Sequence, residues 1–98
     1  MKPVIKNRYP FEQAADMLKM VAHPVRLHII MLLEGRKLKV GDIQEMTGEK
    51  QSVTSRHLNG MASAGILGRE RKGNEVFYYI KKKEVLKVLS CIKNCCNK

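Results

Sequence analysis

The sequence predicts a small, mainly α-helical domain carrying one β-hairpin, in the order α-α-α-α-β-β-α. Three observations carry this expectation. Apolar residues recur at helical spacing through successive segments as far as Gly65. The period then changes to that of strands in "ILGRER" and "EVFYYIK", with "KGNE" as turn chemistry between them. A last stretch, "KKKEVLKVLSCIKNCC", returns to helical spacing. With 98 residues, 44% of them apolar, the chain can fill one modest core. Residues 1–98 are therefore expected to form a single domain, with an N-terminal arm over about 1–9 and a C-terminal helix over about 82–96.

The first helix is expected in "PFEQAADMLKMVA", where Phe11, Ala14, Ala15, Leu18 and Val21 share a stripe and Pro10 suits the opening turn. His23 and Pro24 break it and open "HPVRLHIIMLLEG", a largely buried helix on Val25, Ile29, Ile30, Leu32 and Leu33, with Arg26 and His28 facing outward. "KVGDIQEMTG" reads as a short helix with Val40, Ile43 and Met46 inside and Gly48 as its stop. After a tight connection, "KQSVTSRHLNGMASAG" places Thr54, Leu58 and Met61 inward until Gly65. Two short helices joined by a brief polar turn make a helix-turn-helix. In the last helix Val85, Leu89 and Ile92 follow at i, i+4 and i+7.

Nineteen Lys and Arg against nine Asp and Glu give a net charge of +10, which favours a polyanionic partner. The longest wholly apolar run, Ile29 to Leu33, is far below the ~20 residues needed to span a bilayer, and "MKPVIKNRYPF" lacks the apolar core of a signal peptide. A cytoplasmic protein without a membrane partner is the expectation. Catalysis has little support: there are no paired carboxylates in a pocket-forming context, no Ser/His/Asp arrangement and no glycine-rich phosphate loop. No cofactor is required by this reading.

The segments "AHPVRLHIIMLL" and "QSVTSRHLNGMASAGIL", in this order of elements, resemble the ArsR/SmtB family of winged-helix transcriptional repressors. The likeness runs over roughly residues 14 to 92. It implies a homodimer, paired through the first and last helices, that binds an operator duplex with partial two-fold symmetry and leaves it when an ion or oxidant arrives. In that dimer Phe11, Leu18, Val85, Leu89 and Ile92 are expected to meet their symmetry mates.

A helix entering the major groove needs small or hydrogen-bonding side chains at its base-facing positions, and Gln51, Ser52, Ser55 and Arg56 meet that description. Many relatives resemble Ser-Gln-Ser-Thr-Val-Ser-Arg-His-Leu, whereas this chain reads Lys50-Gln51-Ser52-Val53-Thr54-Ser55-Arg56-His57-Leu58. The apolar residue has moved to Val53, where it can meet a thymine methyl, and Lys50 replaces a helix-capping serine. His57 packs or hydrogen-bonds at the root of the helix, although family members place a histidine here beside the contact surface. Arg69, Arg71 and Lys72 lie near the hairpin tip, suited to flanking backbone or minor groove.

All the cysteines, Cys91, Cys95 and Cys96, lie in "SCIKNCCNK" at the C-terminus. An odd, clustered set forms no internal disulfide framework, so ligation or reactivity becomes its property of interest. The family's Cys-x-Cys site is missing from "LKVGDIQ", its Asp/His zinc site from residues 82 to 96, and its cysteine in the second helix from "HPVRLHIIMLLEG". What remains is three soft sulfurs, which suit arsenite or, less distinctively, cadmium, lead or cuprous copper. A redox or reactive-sulfur switch and simple packing stay open as alternatives. Two further rivals are a non-specific nucleic-acid-binding protein and a metal-handling protein with a vestigial helix-turn-helix. Binding to one duplex over random duplex, with its salt dependence, separates them.

Overall fold

The computed structural model describes residues 11–96. Its helices are α1 (Phe11–Val21), α2 (Pro24–Leu32), α3 (Val40–Thr47), α4 (Gln51–Ser63) and α5 (Glu84–Cys96). Its strands are β1 (Leu38–Lys39), β2 (Leu67–Lys72) and β3 (Glu75–Ile80), and they form an antiparallel sheet in the order β1-β3-β2. Pro10 and the N-terminal arm lie outside the described residues. The sheet corrects the expected two-stranded hairpin: Leu38 pairs with Tyr78 and Lys39 with Phe77, covering the second edge of β3. Two residues are too few to show strand alternation in a sequence, and Lys39 also stands at the N-cap of α3.

Each helix boundary has a local cause. His23 caps α2 by accepting the Val25 amide on Nδ1 at 3.1 Å, with Pro24 following as the first helical residue. Asp42 reaches back to the Lys39 amide at 3.3 Å and opens α3. Gly48 ends α3 in the left-handed region at φ 76°, with its amide on the Gln44 carbonyl at 2.9 Å. Past α4, Gly65 (φ 81°) and Ile66 donate to Ala62 and Met61 respectively, each at 3.0 Å. That is the paired Schellman pattern, and Ile66 and Met61 are both buried, so the turn that stops α4 also delivers the chain into β2.

The core gathers Ile29, Ile30 and Leu33 of α2 and its end, Ile43 of α3, Leu58 and Met61 of α4, and Leu67, Tyr78 and Ile80 of the sheet. Val85 and Leu89 of α5 are buried in that same cluster, at 2% and 6% exposure, which corrects their assignment to a subunit seam. Met46, expected inside, is exposed, because α3 is short and turns only Ile43 and Val40 onto the cluster. Phe11, Leu18 and Ile92 remain open to solvent on α1 and α5 at 59%, 48% and 36%. On the outer face of the sheet the Tyr79 ring lies over Gly68, where a Cβ would stand 2.4 Å from Tyr79 Cζ. Lys37 sits 5.3 Å from the centre of that ring.

Candidate nucleic-acid interface

The second helix of the helix-turn-helix is anchored along one side and open along the other. Thr54, Leu58 and Met61 are wholly buried, as their spacing predicts. Gln51, Ser52, Arg56 and Asn59 are exposed, while Val53 and Ser55 are half-buried at the margin. Lys50 is the N-cap residue and provides no side-chain cap. Its carbonyl instead accepts both the amide and the hydroxyl of Thr54, at 2.9 and 3.0 Å. This leaves the first-turn amides of α4 without a capping side chain, next to Gln51 and Ser52. The turn before it is held by Thr47, whose hydroxyl donates to the Gln44 carbonyl at 3.3 Å and accepts the Glu49 amide at 3.4 Å.

The hairpin distributes its charge by strand alternation. Arg69 lies opposite Tyr78 and Arg71 opposite Val76, so both belong to the face that Tyr78 turns toward α4, where its hydroxyl donates to Asn59 Oδ1 at 3.4 Å. Lys72 lies opposite Glu75 and belongs to the outer face. The acids of the hairpin are engaged there: Glu70 pairs with Lys37, and Glu75 with Lys39 at 3.0 Å. The Lys37 hydrogen bond holds the Glu70 carboxyl below its ordinary range and raises the lysine. Among the described residues no ion pair involves Arg56, Arg69, Arg71 or Lys72. Among the described residues the exposed helix edge and hairpin tip thus present cations outside any ion pair, with Lys72 alone close enough to Glu70 to help hold that carboxyl down.

His57 stands apart from the other candidate contacts. It is 6% exposed and its Nδ1 accepts from Arg26 Nε at 3.0 Å, while its ring lies 4.5 Å from that of His23. Burial, then His23, Arg26 and Arg56, hold its pKa below the ordinary value against a weaker opposing pull from Glu49. Arg26, expected outward, therefore faces in, and its Nη1 also donates to the Met20 carbonyl at 2.9 Å. An arginine on an amphipathic helix normally marks the solvent side. The available clue was Gly60 in mid-α4: a Cβ there would stand 3.0 Å from Arg26 Nη2.

Cys91, Cys95 and Cys96 are all exposed on the last turns of α5. Cys91 and Cys95 are one turn apart, at the spacing that brings Cβ atoms to about 6 Å, while Cys96 is turned about 100° from Cys95. Lys93, between them, approaches Glu34 at 3.8 Å. Among the described residues no group of three or more His, Cys, Asp or Glu side chains is placed to hold a metal ion. In the same residues no helix is long and apolar enough to cross a membrane.

A buried-backed helix reached through a tight turn and flanked by a basic hairpin defines a winged helix-turn-helix, the build of DNA-binding regulators. The model of the arsR family of bacterial regulatory proteins matches residues 23–68. The HTH-type transcriptional regulator YgaV of Escherichia coli is 36% identical over 84 residues, 85% of either chain. The transcriptional repressor PagR of Bacillus anthracis is 37% identical over 75 residues, 76% of this chain and 75% of that one. The PagR crystal structure superposes with a TM-score of 0.75, covering 84% of this chain and 94% of the other at 34% identity. A homodimeric winged helix-turn-helix DNA-binding domain, Mb0332 of Mycobacterium bovis, gives 0.79 over 99% of this chain and 90% of that one, and at 23% identity supports the fold alone. The chain belongs to the arsR family of bacterial regulatory proteins. It is a transcriptional repressor with a DNA-binding winged helix-turn-helix, not an enzyme.

Proposed function

We propose that this repressor, a cytoplasmic single-domain protein, binds a two-fold-related operator as a homodimer and is released when a thiophilic ion, arsenite foremost, is taken up by Cys91, Cys95 and Cys96. The reading rests most on the polarity of α4, where Thr54, Leu58 and Met61 are sealed in the core while Gln51, Ser52 and Arg56 are exposed. Gln51 and Arg56 carry the hydrogen-bonding groups that adenine and guanine edges accept, and each good bidentate pair contributes roughly 1–3 kcal/mol of discrimination. Ser52 and Ser55 reach phosphates, and Val53 meets a thymine methyl. Arg69, Arg71 and Lys72 position the protein on flanking backbone without reading bases. His57 holds the helix from behind.

Pairing through α1 and α5 accounts for Leu18 and Ile92, apolar residues left open on those helices. A second copy would also bring a second set of thiols. That matters because the thiols of one chain do not converge, and a three-thiolate site needs either fraying of the last turn or a sulfur from the partner copy. An ion held this way favours one arrangement of α5. Lowering operator affinity a hundredfold requires that preference to be worth about 2.7 kcal/mol. The exposure of all three thiols also supports a second reading, release by oxidant or reactive sulfur.

The test begins with a duplex enriched from a randomised pool by the protein. Its complex is titrated with arsenite, cadmium and a mild oxidant, in the native protein and in a Cys91→Ser, Cys95→Ser, Cys96→Ser variant. Release by arsenite in the native protein alone is the expected result. Release of the triple variant by the same compound refutes cysteine sensing, and release by oxidant alone transfers the role to redox chemistry.

A further inference from the structure

Arg26 joins elements that the proposed function separates. Its Nη1 donates to the Met20 carbonyl near the end of α1, and its Nε donates to His57 Nδ1 on α4. Gly60, one turn after His57 on α4, leaves the space its guanidinium fills, since a Cβ there would lie 3.0 Å from Nη2 and 3.6 Å from Cζ. His23, at the start of α2, packs its ring on His57 and accepts the Val25 amide. α1 reaches the core through Met17, Met20 and Val21, so a bond to its penultimate residue constrains its direction. The helix carrying the exposed Leu18 and the helix carrying Gln51 and Arg56 are thereby tied to one guanidinium.

We propose that Arg26 is a positioning residue that sets the angle of α4 against α1, and that the clasp closes only while His57 Nδ1 is free of a proton. The proposal rests on α4 being the helix that reads DNA. Acceptance at Nδ1 assigns the neutral ring's proton to Nε2. A second proton would occupy the nitrogen that Arg26 uses and add a positive charge facing Arg26 of α2, Arg56 of α4 and His23 before α2, against Glu49 of the α3–α4 turn alone. Those neighbours and burial displace the titration below the ordinary histidine value, so the clasp is closed at neutral pH and opens on acidification below about 6.5. Other protonations raise positive charge and strengthen binding to a polyanion, so a weakening on acidification has a distinctive sign.

The probe is a duplex enriched by the native protein from a randomised pool, with affinity followed by fluorescence anisotropy from about pH 7.5 to about 4.5, a window that runs from above the ordinary histidine pKa to well below it, where the displaced titration of His57 falls. Arg26→Gln is expected to bind about tenfold more weakly at neutral pH, the effect of losing a hydrogen bond from a charged donor. His57→Asn keeps an acceptor near the position of Nδ1 but cannot titrate. It should bind like the native protein at neutral pH and about tenfold more tightly than it at the acid end, the ratio corresponding to about 1.4 kcal/mol. Thermal unfolding without DNA identifies any variant that fails to fold. If Arg26→Gln does, the difference in pH profile between native protein and His57→Asn still decides. Parallel profiles for those two proteins overturn the proposal, as does unchanged affinity and profile in a folded Arg26→Gln. A native protein that enriches no duplex refutes the DNA reading first, and the clasp's role with it.

Discussion

The helix-turn-helix and the C-terminal end of α5 are both amphipathic, yet only the first is finished within one chain. In α4 every inward position is sealed: Thr54, Leu58 and Met61 have no exposed surface, and Arg26 with His57 closes the remaining polar position by a hydrogen bond. α5 begins in the same way with Val85 and Leu89 in the core, but one turn later Ile92 is 36% exposed and the cysteines face solvent. Under the proposed function the difference separates two kinds of work. A surface that reads DNA has to be rigid before contact, because ordering it on contact costs affinity. A surface that pairs or senses has to keep contacts still to be made.

The largest expected contrast is in folding stability. Leu58→Ala removes a fully buried side chain and should lower the unfolding free energy by about 2–5 kcal/mol in urea denaturation. Ile92→Ser at the other end of the comparison should stay within about 0.5 kcal/mol at protein concentrations low enough for monomer. Equal losses would show that the end of α5 belongs to the core after all.

Leu18→Glu combined with Ile92→Glu should yield monomer by sedimentation while leaving the helical content unchanged. The same variant should lose roughly a hundredfold in affinity for a two-fold-related duplex, as expected when two linked reading heads become independent. A persistent dimer would move the pairing surface elsewhere.

The interface itself divides more finely. Arg71→Ala should weaken binding to all duplexes alike and reduce the slope of log K against log salt by about 0.9, the signature of one lost phosphate contact. A change in preferred sequence would instead make Arg71 a reading residue.

The smallest effect concerns pH and the free protein. Because the His57 pKa is lowered on folding, the unfolded chain binds the proton more readily, so stability is complete above about 6.5 and declines as pH falls toward the folded value. In calorimetry His57→Asn should show a shallower decline across that range than the native protein. Identical slopes would place the acid sensitivity on another group.

The elements that bury a repeating apolar face are legible because burial writes itself into spacing: Ile29, Ile30, Thr54, Leu58 and Met61 all lie inside as their periodicity predicts. β1 is not, since two residues paired with β3 leave no period. The inward turn of Arg26 leaves no signal in the sequence, because its purpose depends on two elements, His57 and the end of α1, that have no fixed spacing from it. The spacing of Val85 and Leu89 identifies an apolar face without saying what covers it, and the core of the same chain covers it rather than a second copy. For the same reason, the spacing of Cys91, Cys95 and Cys96 does not say what meets them: all three are exposed, and among the described residues no group of three or more ligating side chains converges.

Base reading by the outer face of α4 is the step on which the proposed operator binding depends. Its test is the affinity ratio between a duplex enriched by the native protein and a scrambled duplex at physiological salt, measured for the native protein and for a Gln51→Ala, Arg56→Ala variant. The native ratio should be about a thousand or more, and the variant should lose at least tenfold of it while its affinity for the scrambled duplex falls far less. A native protein that binds both duplexes alike, or a variant that keeps the full ratio, would show that Gln51 and Arg56 do not read bases.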